Sequence, residues 1–354
     1  MGVDLGDLCI PKPISFDDMA GKVIAVDGNN TLYQFLSSIR QADGTPLMDS
    51  KGRVSGHLTG LFYRSVKWLE FGMKPLFVFD GKPPALKART LQGRRERKTQ
   101  AGEKMAQALS EGRTEDARMY AQATSKLTGE MIAQAETLLD ALGIPHIHAP
   151  SEGEAEAADL VNRGVAWASA SQDYDSVLFG APRLVRNLST SGRRKLPRKD
   201  EYVQVEPELI TLDDVLRSSS LNRYQLAWIG ILVGTDFNEG VDGIGPKKAH
   251  KLVSDAHSFK EVIARLPPAM RERIGKTDEG PVCDIENWEE IEEFFMKPPV
   301  SGTASVIFGK PDKEKTVSFL CKEFDFSSER VGRTLDALDK KQKESGGQTR
   351  LGEW

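Results

Sequence analysis

Short apolar runs alternate with longer stretches of helical periodicity through the first half of the chain, and each run closes on acid or a turn. Lys22-Val23-Ile24-Ala25-Val26 runs into Asp27-Gly28, and Pro75-Leu76-Phe77-Val78-Phe79 runs into Asp80-Gly81. Ile144-Pro145-His146-Ile147-His148 leads to Pro150-Ser151-Glu152, and Val165–Ala170 leads to Gln172-Asp173-Tyr174-Asp175. Such runs predict buried strands. Between them the apolar spacing predicts helices over Asn30–Ile39, Ser55–Phe71, Thr128–Leu142 and Glu154–Arg163. Strands alternating with helices imply an α/β fold: a mixed, mainly parallel sheet flanked by helices.

The pattern changes between Pro83 and Lys126, which is rich in Gln, Lys, Arg and Glu and poor in large apolar residues. Helices of that composition cannot bury a broad face, so a protruding helical pair is expected there. After Leu221 the chain reads as helical, apart from Ser301–Gly309, which is compatible with a short strand. Glu344-Ser345-Gly346-Gly347 has the composition of a linker. These shifts predict one α/β domain in two parts, 1–98 and 116–258, with a helical excursion over 83–126. A helical region over 259–343 and a tail over 344–354 follow. No internal repeat stands out.

Composition narrows the class. No apolar run in the 354 residues reaches the roughly 18 that a membrane helix needs, and MGVDLGDLC lacks the basic and apolar regions of a signal peptide. Cys9, Cys283 and Cys321 are odd in number and far apart, fitting neither a disulfide framework nor zinc spacing. A reduced, cytoplasmic compartment is the expectation. The net charge of −4 argues weakly against nucleic acid, but its distribution argues the other way. Lys82, Lys87, Arg89, Arg94, Arg95, Arg97, Lys98 and Lys104 form one basic stretch, and Arg193-Arg194-Lys195-Leu196-Pro197-Arg198-Lys199 forms another. Either could be only a solvated face.

The compensating acid concentrates at strand ends. In an open parallel sheet, functional groups gather at the carboxyl ends of the strands, where Asp27, Asp80, Glu152, Glu154, Asp173 and Asp175 all fall. Any one of them alone reads as a turn former or cap, and Ser151-x-x-Glu154 reads as a capping box. Six converging carboxylates would repel and raise one another's pKa values. A hard cation such as Mg²⁺ relieves that repulsion with oxygen ligands, whereas His and Cys are too scarce for zinc. Two Mg²⁺ ions suit phosphodiester hydrolysis. Lys87 and Arg94, two helical turns apart after Asp80, share one face and could hold a phosphate.

The blocks Met1-Gly2-Val3, Phe79-Asp80-Gly81-Lys82-Pro83-Pro84, Pro150-Ser151-Glu152-Gly153-Glu154-Ala155, Ser171-Gln172-Asp173-Tyr174-Asp175 and Gly234-Thr235-Asp236 together resemble, in order, the flap endonucleases of the structure-specific 5′ nuclease family, archaeal type. The resemblance covers nearly the whole chain. It implies a Mg²⁺-dependent endodeoxyribonuclease, with 5′–3′ exonuclease activity, that removes 5′ flaps in DNA replication and repair. It places the metal carboxylates on Asp27, Asp80, Glu152, Glu154, Asp173, Asp175 and Asp236, the last outside the strand-end set. Lys87 and Arg94 become the catalytic phosphate-steering pair. Gly2 and Tyr33 become DNA contacts, although Tyr33 alone reads as a half-buried helix residue. The 83–126 excursion becomes a helical arch passed by a free 5′ strand.

Gly243-Ile244-Gly245-Pro246-Lys247-Lys248-Ala249 resembles the hairpin of the family's helix–two-turn–helix element. Gly243 and Gly245 would let backbone approach phosphate, Lys247 and Lys248 would add charge, and a K⁺ ion is implied there. Gln348, Leu351 and Trp354 match the spacing of the motif that docks on the replication sliding clamp, without its usual second aromatic. A monomer acting on branched DNA is the resulting expectation. Three alternatives remain open: a paralogous 5′ nuclease acting on bubbles, gaps or four-way junctions, a catalytically silent junction-binding adaptor, and a PIN-like RNA nuclease.

Overall fold

The computed structural model describes residues 3–41, 44–113, 116, 120, 125–190, 192–195, 202–276 and 280–348. The side chains of 89, 91–98, 109, 193–195, 202 and 345–348 lie outside that description. In chain order the described strands are β1 (Lys12–Pro13), β2 (Val23–Asp27), β3 (Lys74–Phe79), β4 (His146–His148), β5 (Ala168–Ala170), β6 (Arg183–Arg186), β7 (Gly192–Lys195), β8 (Tyr202–Val205), β9 (Glu208–Thr211), β10 (Gly240–Val241) and β11 (Cys283–Asp284). The chain divides into two compact units: Met1–Ile14, Asp80–Arg94 and His148–Thr303 in the first, and Ser15–Phe79, Arg95–Ile147 and Ala304–Trp354 in the second.

In the first unit the strand order is β1-β9-β6-β5. β5 and β6 run parallel, with Ser169 opposite Leu184, while β9 is antiparallel to both β6 and β1. The core beneath is built from Val177, Leu178, Leu184, Ile210 and the Leu226–Leu232 face of helix Arg223–Val233. Each such side chain taken from water stabilises the unit by about 1.5–3 kcal/mol. That helix starts on a capping box, Asn222 accepting from the Gln225 amide while the Gln225 side chain accepts from Asn222 N–H. The Gln225 side-chain nitrogen also donates to the carbonyls of Val253, Ser254 and Ala256, at 3.4, 3.2 and 3.1 Å.

In the second unit β2 and β3 run parallel in register, Val26 opposite Phe77, with β4 beyond β3. Trp68, Phe62, Phe77 and Phe79 are fully buried there. Helix Gly56–Glu70 packs on this layer and carries His57, fully buried, whose Nε2 lies 3.0 Å from Gln134 Oε1. Burial drives the His57 pKa down to about 4.

The predicted α/β alternation is present, with helices at Gly28–Ser38, Gly56–Glu70, Gly129–Ala141 and Gly153–Asn162. Three readings change. Residues 301–309 form no strand: Ile307 is exposed, and the Gly309 N–H bonds one carbonyl, Gly143, where a strand would need a ladder. The second basic cluster contains a strand of the β7–β8 hairpin, Arg193 opposite Gln204, which its charge concealed. Leu196–Lys199 of that cluster lie outside the described residues. The linker composition at Glu344–Gly347 is helical, continuing helix Ser328–Gln348, whose Lys340–Glu344 and Lys343–Asp339 pairs sit one turn apart. Of the expected helical pair over 83–126, helix Ala88–Ser110 is described, and much of the remainder falls outside the described residues. No described helix is long and apolar enough to cross a membrane.

Candidate active site

The acidic residues of the first unit are brought together by loops, each fixed by a local backbone contact. Asp80 follows β3, and Gly81 N–H donates to Ser151 O at 2.7 Å, seaming that loop to the start of helix Gly153–Asn162. A Cβ on Gly81 would lie 2.0 Å from Ala149 O and 2.9 Å from Pro150 C, so only glycine permits the approach. Asp80 Oδ1 accepts from Gly153 N–H at 2.8 Å, at the positive end of that helix. Glu152 occupies the N-cap position and Glu154 the first turn, where Ser176 Oγ donates to it at 3.3 Å. The expected capping box does not form: the Ser151 hydroxyl is buried without a hydrogen-bond partner and makes no cap.

Asp173 and Asp175 follow β5. Asp173 N–H donates to Ser171 Oγ at 3.2 Å, and Asp175 begins the short helix Asp175–Leu178 with its carboxylate buried. The Val3 N–H donates to Asp175 Oδ1 at 3.0 Å. That contact, between residues 172 apart, had no signal in sequence. Asp236 arrives by a different route. Helix Arg223–Val233 ends at Gly234, whose φ of +104° is open to glycine and strained for other residues. Asn238 then organises the loop: its Oδ1 accepts from Thr235 Oγ1 at 2.8 Å, and its Nδ2 donates to Ile231 O and Asp284 O. A helix end rather than a strand end presents Asp236, so strand-end reasoning passes over it.

Lys87 stands inside this acidic set. It ends a single 3₁₀ turn, Ala85–Lys87, and its Nζ lies 2.6 Å from Glu152 Oε2 and 3.2 Å from Asp236 Oδ2. Burial alone would lower its pKa, but Glu152, Asp236 and Asp80 outweigh burial and hold it above the ordinary lysine range. Glu152 also moves up, against the effect of Lys87, because burial acts first and Asp80 and Asp236 add repulsion. Asp175 is pushed up to about 8 by burial, with Asp236 and Asp173 adding to it. The set therefore carries more negative charge than one lysine neutralises. Among the described residues no three acidic, histidine or cysteine side chains are drawn close enough to enclose an ion, and the Lys87 ammonium lies between Glu152 and Asp236 instead. The donor chemistry nonetheless fits a hard divalent cation: oxygen only, from several carboxylates, two of them displaced upward.

The remaining predicted residues lie on other elements. Asp27 belongs to the second unit, where it ends β2 and caps helix Gly28–Ser38 by accepting from Asn30 N–H at 2.9 Å. Tyr33 lies half-buried on that helix. Gly245 is the N-cap of helix Pro246–Val253, and Gly243, at φ +75°, and Gly245 both face open space. Lys248 Nζ donates to Gly243 O at 2.8 Å, closing the hairpin on itself, and Lys247 lies 3.2 Å from Asp7. Gly2, Leu351 and Trp354 lie outside the described residues, as do the side chains of Arg94 and Gln348.

Comparison with known proteins finds matches along nearly the whole chain. Residues 8–101 match the XPG N-terminal domain and residues 143–236 the XPG I-region. The chain is 48% identical over 355 residues to a flap endonuclease 1 of Pyrococcus horikoshii, covering 100% of this chain and 98% of that protein. It is 49% identical over 350 residues to a flap endonuclease 1 of Staphylothermus marinus, with 97% and 96% covered. Among solved structures, flap endonuclease-1 from Methanococcus jannaschii superposes with a TM-score of 0.71 at 39% identity, covering 97% of this chain and 100% of that one.

Proposed function

The chain belongs to the flap endonuclease family, and from that premise we propose that it is a structure-specific 5′ flap endonuclease whose first-unit acids hold two Mg²⁺ ions. The observation that carries the metal reading is the gathering of Asp80, Glu152, Asp236 and Asp175 about one lysine, with Asp173 beside Asp175 and Asp175 displaced to about 8. When bound, two such ions offset charge on the attacking and leaving oxygens of a phosphodiester.

The chain's own groups then divide the work. Asp80, Glu152, Glu154, Asp173, Asp175 and Asp236 hold the ions. Lys87, kept protonated by its carboxylate neighbours, turns to a nonbridging oxygen of the scissile phosphate and positions it. Arg94, on the helix that begins at Ala88 just after Lys87, is the second phosphate contact. A water oxygen bonds to the phosphorus, the P–O bond to a sugar oxygen near the junction of single strand and duplex breaks, and the released sugar oxygen leaves as a hydroxyl with a proton from that water. The open hairpin at Gly243 and Gly245 receives duplex phosphates on backbone N–H groups, a K⁺ ion held there would add positive charge, and recognition runs through backbone and bend more than base edges. Helix Ala88–Ser110 forms part of an arch over the free 5′ strand. The 1–98 and 116–258 segments act as one nuclease domain, and the 344–354 tail docks on the sliding clamp of a cytoplasmic replication complex. The nuclease itself is a monomer.

The deciding experiment compares Mg²⁺-dependent cleavage of end-labelled single-flap, double-flap, nicked and bubble DNAs. Preferential cutting of flaps is expected. Preference for bubbles would instead favour the paralogous class of 5′ nuclease.

A further inference from the structure

Helix Gly153–Asn162 carries a third acid whose environment differs from the other two. Glu156 is fully buried, and its two carboxylate oxygens accept from one residue far along the chain. Ser301 N–H donates to Oε2 and Ser301 Oγ to Oε1, both at 2.6 Å. The same helix face grips the segment again one residue pair later. Arg163, tied to Asp159 at 2.7 Å, donates to Thr303 O at 2.7 Å, and the Ser301 and Thr303 hydroxyls lie 2.7 Å apart. Ser301 itself is exposed. Among the described residues, a single surface residue therefore seals this buried carboxylate, and burying an unpaired charge is costly.

Glu156 sits two residues after Glu154 and one turn after Glu152, on the helix whose N-cap is Glu152 and whose first turn carries Glu154. A face pinned at 156 and 163 cannot rotate about the helix axis without breaking the Ser301 and Thr303 contacts. We infer that Glu156 and Ser301 form a latch that sets the rotation of helix Gly153–Asn162, making Glu156 a positioning residue for the metal-holding acids. The inference rests on the metal reading above. Loss of the latch loosens ion binding and slows chemistry, while flap DNA binding, made elsewhere, is kept.

The test measures Mn²⁺ binding to the full chain by EPR of the free ion, beside kcat and KM on a single-flap DNA in Mg²⁺. Glu156→Ala and Ser301→Ala are expected to weaken Mn²⁺ binding about tenfold and to lower kcat comparably, with KM little changed. Glu156→Gln, which keeps an acceptor for the Ser301 N–H and a donor for its hydroxyl, and Ser301→Thr are expected to restore both. Ser301 is a surface residue, so its variant decides the matter even if Glu156→Ala fails to fold. Wild-type Mn²⁺ affinity in a folded Ser301→Ala protein of lowered Tm would overturn the latch and leave the nuclease reading standing. Failure of the wild-type chain to bind Mn²⁺ would overturn the metal reading itself.

Discussion

The ammonium of Lys87 lies 2.6 Å from the carboxylate of Glu152, and the pair is largely shielded from water. An ion pair in that setting is half structural: removing one partner leaves a buried charge uncompensated. Replacing Lys87 with Met should therefore destabilise the metal-free protein by roughly 3 kcal/mol and lower cleavage by about 10²–10³-fold. Urea unfolding in EDTA and in Mg²⁺ checks the first effect, with a smaller loss expected in Mg²⁺. An unchanged urea midpoint in EDTA would show that Lys87 does not balance the acids.

Asp175→Asn keeps the acceptor for Val3 N–H and stays neutral where the buried Asp175 carboxyl, held protonated to about 8, would have to ionise to hold a cation. Cleavage should be abolished, flap binding largely retained, and the metal-free protein no less stable than wild type. Gel-shift affinity and calorimetry test the last two. Near-normal turnover at saturating Mg²⁺ would sink the role given to Asp175.

The displaced groups also set a pH profile. An unfolded Asp loses its proton near pH 3.9, whereas Asp175 holds its proton to about 8. Through that interval the folded state binds the extra proton, so metal-free stability falls as pH rises from about 4 to about 8. Mg²⁺ should flatten this decline, and its apparent affinity should strengthen as the proton leaves. His57 acts on the acid side. It is held down to about 4 from an ordinary 6.5, so the unfolded state takes up the proton first and stability falls as pH drops through that range. Tm measured from pH 4 to 9, with EDTA and with Mg²⁺, should separate the two. An alkaline limb with the same slope in both buffers would contradict the assignment to Asp175.

Gly81→Ala tests the seam beneath Asp80. The added methyl meets backbone and has no flexible side chain to push aside, so the loops must part, costing about 1–3 kcal/mol. Because Asp80 sits on one of those loops, kcat should fall more than stability alone explains. Wild-type kcat in a folded Gly81→Ala variant would rule this out.

At the hairpin, Lys247→Ala and Lys248→Ala should weaken duplex binding evenly across sequences. Each should reduce the slope of log affinity against log salt by about 1 if it neutralises one phosphate. Lys248 is already bonded to Gly243 O, so its substitution should also loosen the turn. An unchanged salt slope in both variants would move the duplex contact elsewhere.

The parts of this site legible in sequence were those encoded locally. A buried apolar run closing on acid places Asp80, Asp173 and Asp175 without further help. Asp236 was visible only through family resemblance, because its placement depends on a helix end, a left-handed glycine and the amide of Asn238. The Val3 contact to Asp175 and the Ser301 contact to Glu156 join residues 172 and 145 apart, and no periodicity carries such pairings. The β6–β9 and β7–β8 ladders were missed because short strands rich in Arg and Glu resemble solvated loops until a partner is present. The mistaken strand at 301–309 is the converse: a strand-like composition with no ladder to join.

One side-chain amide, that of Gln225, collects the carbonyls of Val253, Ser254 and Ala256 where the hairpin's helix Pro246–Val253 ends. The same residue holds the first turn of helix Arg223–Val233 through its capping box. Breathing of one helix therefore breaks bonds in the other. In native-state hydrogen exchange the two helices should open together as one cooperative unit. If the hairpin holds duplex as proposed, its residence time on DNA would then follow the opening of both helices together.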